Sequence, residues 1–150
     1  QTDDYIVISV EMAHDARIIP LFDSAEKARA NTRPESHSPW FGDSRGWYEG
    51  DTLIVETVNI SPLQMSQSSI PISPEGKFTE RFSRYSDAEI FYQFTVEDPN
   101  LYSQVWTAEM SYHETEGPLY EYACHEGNYA MPGILAGARR QEAEEAAQLQ

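Results

Sequence analysis

Alternation of apolar and polar side chains with a period of two residues constrains this chain more than any other feature. In YIVISVEM (5–12), the side chains that fall on one side of an extended chain are Ile6, Ile8, Val10 and Met12. Because successive side chains of a strand point to opposite faces, this segment is predicted to be a strand with one buried face. ARIIPLF (16–22) is predicted to be a second strand, partly at a sheet edge because Pro20 has no N–H to donate.

Tight turns between further alternating segments predict two hairpins. Residues 40–60 are expected to turn at Glu49-Gly50-Asp51, because glycine adopts the positive φ that such a turn requires. Residues 78–98 are expected to turn at Ser86-Asp87-Ala88. The remaining predicted elements of this region are a strand at 104–115, a strand at 119–125, and loops at 23–42 and 61–76.

Two segments have helical rather than strand-like character. SAEKARA (24–30) indicates a helical turn within the first loop. GILAGARRQEAEEAAQLQ (133–150) is rich in the good helix formers alanine and glutamate, and it follows Pro132, a residue that a first helical turn tolerates. One α-helix is therefore predicted over residues 132–150, docked on a β-barrel-like domain of residues 1–131.

These elements predict a mainly β fold. The expected architecture is an antiparallel meander of about eight strands that forms a barrel or half-barrel, with one C-terminal α-helix. The chain has 150 residues, 40% of them hydrophobic, which is enough for one domain with a core.

The charge balance argues against two classes of partner. Asp and Glu number 25 against 10 Lys and Arg, a formal charge of −15, and no basic cluster is dense enough to follow a phosphate backbone. Nucleic acid and anionic membrane surfaces are therefore not expected as partners. No apolar stretch of the sequence reaches the roughly 20 residues that cross a bilayer, so no membrane span is predicted.

Three segments carry recognisable motifs: GDSRGWYEGDTLIVETVN (42–59), TERFSRYSDAEIFYQFTVEDP (79–99) and WTAEMSYHETEGPLYEYACHEGNY (106–129). Together they resemble a broad family of uncharacterised secreted bacterial proteins, and the resemblance covers nearly the whole chain. The family's hairpin reads G-D-S-R-G-x-W-E-G-D-T-L-V-V-E-T. Here Trp47 and Tyr48 stand where the family has a basic or variable residue and then tryptophan, so the aromatic position is kept.

The resemblance implies a compartment rather than a reaction. Members of that family look like exported proteins with a further region ahead of this one, so a periplasmic or secreted location is expected, and the chain resembles their C-terminal portion. No activity and no cofactor follow from it. The meander with its C-terminal helix is also similar to lipocalin-like barrels, a likeness of architecture that implies no function.

The only cysteine, Cys124, lies beside His125 and Glu126 in EYACHEGNY (121–129). On an alternating strand the side chains of Cys124 and His125 point to opposite faces, so the two cannot form a nucleophile–base pair directly. Three interpretations stay open. The cysteine is a buried apolar residue between tyrosines, a catalytic or metal-bound thiolate, or, from the resemblance, a disulfide partner of the region ahead of this chain.

Histidine and carboxylate side chains are the candidates for catalysis and for metal binding. The acid–base candidates are His14, His113, Asp43 and Glu109. The metal-ligand candidates are His14, Asp15, His125 and Glu126, with His14-Asp15 at a turn on a barrel rim. No two histidines have the short spacing typical of zinc or copper sites, so each set depends on convergence in the fold.

The string Gly42-Asp43-Ser44-Arg45-Gly46 has the G-x-S-x-G form of a serine-hydrolase elbow. That elbow needs a helix directly after the serine, and here a strand is predicted to follow. The string instead predicts a turn held by an ion pair between Asp43 and Arg45.

Aromatic side chains are abundant, with three Trp, nine Tyr and six Phe. They supply apolar area with a polar handle, which suits both a core and a ligand cavity. The predicted cavity wall, chosen because its members repeat on single strand faces, is Trp106, Tyr92, Phe94, Met110 and Tyr112, with Tyr122 near its end.

Three hypotheses for function follow. The first is an exported β-barrel module that binds a small apolar or aromatic molecule or a partner domain. The second is a periplasmic or secreted enzyme of the hydratase, isomerase, lyase or hydrolase type, which uses histidine and carboxylate acid–base chemistry with or without a metal. The third is a structural domain that assembles with copies of itself or with the region ahead of this chain, through its unpaired sheet edges and its polar C-terminal helix.

Overall fold

The computed structural model describes residues 1–11, 16–64, 69–118, 120 and 129–148. The elements formed by these residues are β1 (Tyr5–Ser9), β2 (Ala16–Phe22), α1 (Ala25–Ala30), β3 (Asp43–Glu49), β4 (Thr52–Val58), β5 (Lys77–Ser86), β6 (Glu89–Glu97), β7 (Trp106–His113) and α2 (Ala130–Gln148). The strands form one sheet in sequence order from β1 to β7, curled into a half-barrel. The predicted mainly β half-barrel with one C-terminal helix is confirmed.

Both predicted hairpins are present. β3 and β4 pair from Asp43 opposite Val58 to Glu49 opposite Thr52, and Gly50 in the turn has a φ of 61°. A φ of this sign explains why glycine occupies the turn. β5 and β6 pair in the same antiparallel way up to Ser86 opposite Glu89, which places the second turn at residues 87–88.

The step from β2 to β3 departs from the predicted antiparallel meander. These strands pair in parallel through Leu21 opposite Gly46 and Phe22 opposite Trp47. Parallel neighbours need a crossover connection, which residues 23–42 provide. The missing side chain of Gly46 permits the close approach, since a Cβ there would lie 3.0 Å from Leu21 Cδ2 and 3.2 Å from Ile19 Cγ2.

Alternation along the strands gives the sheet an inner face and an outer face. The inner face is defined by the side chains of Leu53, Val55, Phe78, Glu80, Phe82, Tyr92, Phe94 and Val96, which adjoin one another in the register of β4 to β6, and by Ile19, which packs with Leu53 and Val55. Its apolar members form two core clusters, one around Ile19, Leu53 and Val55 and one around Tyr92, Phe94 and Val96. The inner face therefore carries most of the core.

Helix α1 covers part of the outer face. Ser24 caps it, because the Ser24 hydroxyl accepts a hydrogen bond from the Lys27 backbone N–H at 3.3 Å. Ala28 of α1 is fully buried and packs in one cluster with Trp47 and Ile54. The helical turn predicted at residues 24–30 is confirmed.

The strands belong to one compact unit, and α2 belongs to a second. α2 begins at Ala130, two residues before the predicted start, and Arg140 and Glu144 form an ion pair of 3.0 Å along it. The docking of this helix on the sheet stays a prediction. The strand predicted at 119–125 falls, apart from Tyr120, outside the described residues. Within the part of the chain that the structure describes, neither helix has the length and apolarity to cross a bilayer.

Candidate binding cavity on the inner face

An open cavity of about 670 Å³ lies against the inner face, between the β1–β2 hairpin and the strands β5 to β7. Apolar and aromatic side chains make most of its lining: Ile6, Val7, Ile8, Val10, Phe41, Leu53, Phe78, Phe82, Ile90, Tyr92 and Tyr112. Of the lining residues that the structure describes, Arg17 and Glu80 are the charged ones. The cavity is thus an apolar trough with one ionic cluster in its lining.

Arg17, Glu80 and Tyr92 form that ionic cluster. The pair of Arg17 and Glu80 is called here the inner ion pair. Arg17 Nη1 donates to Glu80 Oε1 at 3.1 Å, and Arg17 Nη2 donates to Glu80 Oε2 at 2.5 Å. The Tyr92 hydroxyl donates to Glu80 Oε1 at 2.9 Å. The Glu80 side chain is only 3% exposed, whereas that of Arg17 is 19% exposed. Bidentate pairing of this kind offsets much of the cost of burying the carboxylate.

The tyrosines of the cavity stay protonated at neutral pH. Burial, and then the nearby charge of Glu80, raises the pKa of Tyr92 far above its ordinary value. The same two causes raise the pKa of Tyr112. A protonated phenol can donate a hydrogen bond, so the hydroxyl of Tyr112 is a donor group in the cavity lining.

The aromatic rings of the inner face form a continuous row of ring–ring contacts. Phe82 and Tyr92 have ring centroids 4.8 Å apart, and Tyr92 and Tyr112 have centroids 5.2 Å apart. Tyr92 also contacts Phe94, which meets Trp106 edge to face at 5.6 Å. Ring pairs at these separations add packing energy beyond the area that they bury. The wall at β6 and β7 is therefore held in place before any ligand binds.

The residues predicted as a cavity wall lie in different places. Tyr92 and Tyr112 line the cavity. Phe94 and Trp106 belong to the neighbouring core cluster instead. Met110 is opposite Tyr92 in the strand register and is 46% exposed, but it is not part of the cavity lining. Tyr122 is outside the described residues.

The predicted acid–base residues are not brought together where the structure describes them. Asp43 is buried, and it accepts a hydrogen bond from the Arg33 backbone N–H at 2.8 Å. Glu109 and His113 are exposed on β7, on the strand face opposite to Tyr112. His14 falls outside the described residues. The described candidates therefore offer no shared acid–base centre.

The predicted metal ligands His14, Asp15, His125 and Glu126 all fall outside the described residues, as does Cys124. Across residues 1–11, 16–64, 69–118, 120 and 129–148, no group of three or more His, Cys, Asp or Glu side chains could hold a metal ion. The predicted metal site stays a prediction.

The predicted turn at Asp43–Arg45 is wrong, because these residues form the start of β3 and pair with β4. The predicted ion pair is present, with Arg45 Nε 3.8 Å from Asp43 Oδ2. Ser44 is buried within the strand, with its hydroxyl 2.7 Å from that of Thr57. A serine in this position lacks the exposed, strained turn of a hydrolase nucleophile.

Arg17 and Glu80 were missed by the sequence reasoning. A signal existed, because Glu80 lies between Phe78 and Phe82 at the spacing of one strand face. A charged residue on an otherwise apolar face calls for a partner of opposite charge. Arg17 shares its face with Ile19 and Leu21 in the same way.

A comparison of the chain with protein-family models, with curated proteins and with solved structures finds no significant match.

Proposed function

We propose that this protein is a binding module that holds a small apolar or aromatic molecule on the inner face of its half-barrel sheet. The cavity of about 670 Å³ carries the proposal. Ligand cavities in proteins have volumes of roughly 300–1,000 Å³, mostly apolar linings and a few polar groups that orient the ligand. The inner-face cavity matches this description in size and in chemistry.

Exposure of the cavity wall supports the same function. Val7 is 52% exposed, Tyr112 49% and Ile90 38%, and all three line the cavity. Neighbouring apolar side chains that remain accessible to water mark sites that another molecule covers. A ligand in the cavity would remove part of this apolar surface from water. This burial would contribute about 25 cal/mol of binding free energy per Å² of apolar surface.

Acid–base catalysis at this site has less support. Glu80 is the carboxylate of the cavity lining, and its oxygens already accept three hydrogen bonds from Arg17 and Tyr92. A general base must reach the proton that it removes, and the Glu80 side chain is only 3% exposed. A periplasmic or secreted location is proposed on the family resemblance alone.

Binding of a neutral fluorescent probe, N-phenyl-1-naphthylamine, tests the proposal. We expect saturable binding with enhanced fluorescence in the unmodified protein. Ile90→Glu places a charge in the cavity wall and should weaken binding about tenfold or more. Ile18→Glu is the matched control, because Ile18 is 64% exposed on β2 and does not line the cavity.

Two results would count against the proposal. One is fluorescence that rises without saturation, which indicates non-specific association with apolar surface. The other is equal weakening by the two variants, since this would place the probe away from the inner face. Circular dichroism of both variants checks that each retains the fold.

A further inference from the structure

The polar groups of the inner-face cavity define the chemistry of its ligand more narrowly than its size does. Five polar side chains accompany the apolar lining among the described residues: Ser9, Arg17, Glu80, Tyr92 and Tyr112. Glu80 is an acceptor that already binds Arg17 and Tyr92, Arg17 can only donate, and the hydroxyls of Ser9 and Tyr112 can donate or accept. This inventory rests on the same cavity as the proposed function.

Three of the roughly four lone-pair sites of the Glu80 carboxylate already accept hydrogen bonds. Glu80 Oε1 accepts from both Arg17 and Tyr92, and Oε2 accepts from Arg17. With the Glu80 side chain 3% exposed, a ligand donor has little access to it. A ligand that brought its own N–H or O–H groups would therefore leave them unsatisfied against this part of the wall.

Donor capacity remains. A guanidinium has five N–H groups, and Glu80 accepts from one on Nη1 and one on Nη2 of Arg17. The Nε of Arg17 has no hydrogen-bond partner among the described residues but is itself buried, so the second N–H groups of Nη1 and Nη2 are the donors left for a ligand. The Arg17 side chain is 19% exposed, and it lines a smaller adjoining cavity of about 260 Å³ as well as the main one. Tyr112, a half-exposed residue of the lining beside Tyr92, adds a phenol hydroxyl.

The charge of the cavity is balanced. Among the described residues of the lining, Arg17 and Glu80 are the charged ones, and they are bound to each other. An anionic ligand would gain from Arg17 but would meet the negative charge of Glu80 at the same place, in a chain of net charge −15. A cationic ligand would find no unpaired carboxylate among the described lining residues. The balance favours a ligand without charge.

We infer that the ligand of this cavity is an uncharged apolar or aromatic molecule that carries a hydrogen-bond acceptor, such as a carbonyl oxygen, bound by Arg17 and the Tyr112 hydroxyl. The apolar part lies against the wall of β1 and β6. The acceptor atom of the ligand accepts hydrogen bonds from N–H and O–H groups that have no partner among the protein's own described side chains.

Three ligands of matched size test this inference by displacement of N-phenyl-1-naphthylamine: 2-ethylnaphthalene, 2-acetylnaphthalene and 2-naphthoate. The decisive quantity is the ratio of the dissociation constants of the hydrocarbon and the ketone, measured within one protein sample. Tyr112→Phe removes the hydroxyl and keeps the ring, and should lower the preference for the ketone about fivefold. Tyr85→Phe is the control, because Tyr85 is 77% exposed and does not line the cavity.

Arg17→Lys is the second variant, since it retains a positive charge opposite Glu80 but loses the guanidinium. It should also reduce the preference for the ketone, and a ratio within one sample does not depend on the fraction that is folded. The naphthoate should bind more weakly than the ketone. An unchanged ratio in Tyr112→Phe, or tighter binding of the naphthoate than of the ketone, would overturn the inference and leave the proposed function standing. Failure to bind both the probe and 2-acetylnaphthalene, the latter measured directly by calorimetry, would overturn both.

Discussion

Removal of the Glu80 carboxylate should destabilise the fold strongly. Glu80→Ala leaves the Arg17 guanidinium and the Tyr92 hydroxyl without their shared acceptor in a largely buried place. Removing one partner of a buried ion pair costs about 3–5 kcal/mol. Arg17 keeps 19% exposure, so water satisfies part of it, and we expect the low end of that range, about 3 kcal/mol.

Urea denaturation measures this loss, provided that the slope of the free energy of unfolding against urea concentration is unchanged. The corresponding fall in melting temperature is about 6–12 °C for a chain of this size. Glu97→Ala is the control, because Glu97 pairs with Lys77 at 2.9 Å in a partly exposed bridge and should cost less than about 1 kcal/mol.

A double substitution separates the ion pair from its surroundings. Arg17→Met with Glu80→Leu replaces both charges by apolar side chains of similar size, and should be more stable than Glu80→Leu alone. If Glu80→Ala costs no more than Glu97→Ala, the inner ion pair is not buried in the way described and the reasoning fails.

Four further substitutions test the fold. Gly42→Ala should cost about 3 kcal/mol, since Gly42 has a φ of 74° and a Cβ there would lie 2.7 Å from a neighbouring methyl carbon. Gly50→Ala, at a φ of 61° with open space around the new Cβ, should cost about 1 kcal/mol. Equal losses of the free energy of unfolding in urea would refute the steric argument. Burial alone would raise the pKa of Asp98, but hydrogen bonds, chiefly from the Ser73 backbone N–H, outweigh it and lower the pKa. The stabilisation by Asp98 is therefore present at neutral pH and lost as the pH falls below about 4. The difference in free energy of unfolding between the unmodified protein and Asp98→Asn should shrink on acidification. A constant difference would contradict this. Ser24→Ala removes the cap of α1 and should cost about 1 kcal/mol in the same assay, and no loss would show that the cap is unimportant.

Local signals in the sequence were sufficient to predict most strands. Alternation and turn residues located the hairpin at Gly50 and the one at residues 87–88, because both depend on contacts between near neighbours. The parallel step from β2 to β3 was not predicted. It depends on a crossover of about twenty residues and on the close approach of Leu21 to Gly46, and no local pattern encodes either.

The candidate site was harder to predict than the fold. Tyr92 and Tyr112 were chosen from the face that they share, and both line the cavity. Their neighbours Phe94 and Trp106 follow the same alternation but pack in the core, because alternation assigns a face and not a position along it. Arg17 and Glu80 are 63 residues apart in the sequence and lie on different strands. The sequence therefore indicates only that each charged side chain needs a partner.

The most direct test of the central claim, that the inner face binds a small uncharged apolar molecule, is a titration of isotope-labelled protein with 2-acetylnaphthalene followed by NMR. We expect saturable chemical-shift changes concentrated at Val7, Ile90 and Tyr112, and none at Ile18 or α1. Shifts centred on Ile18 or α1, or no saturable shifts at all, would contradict it.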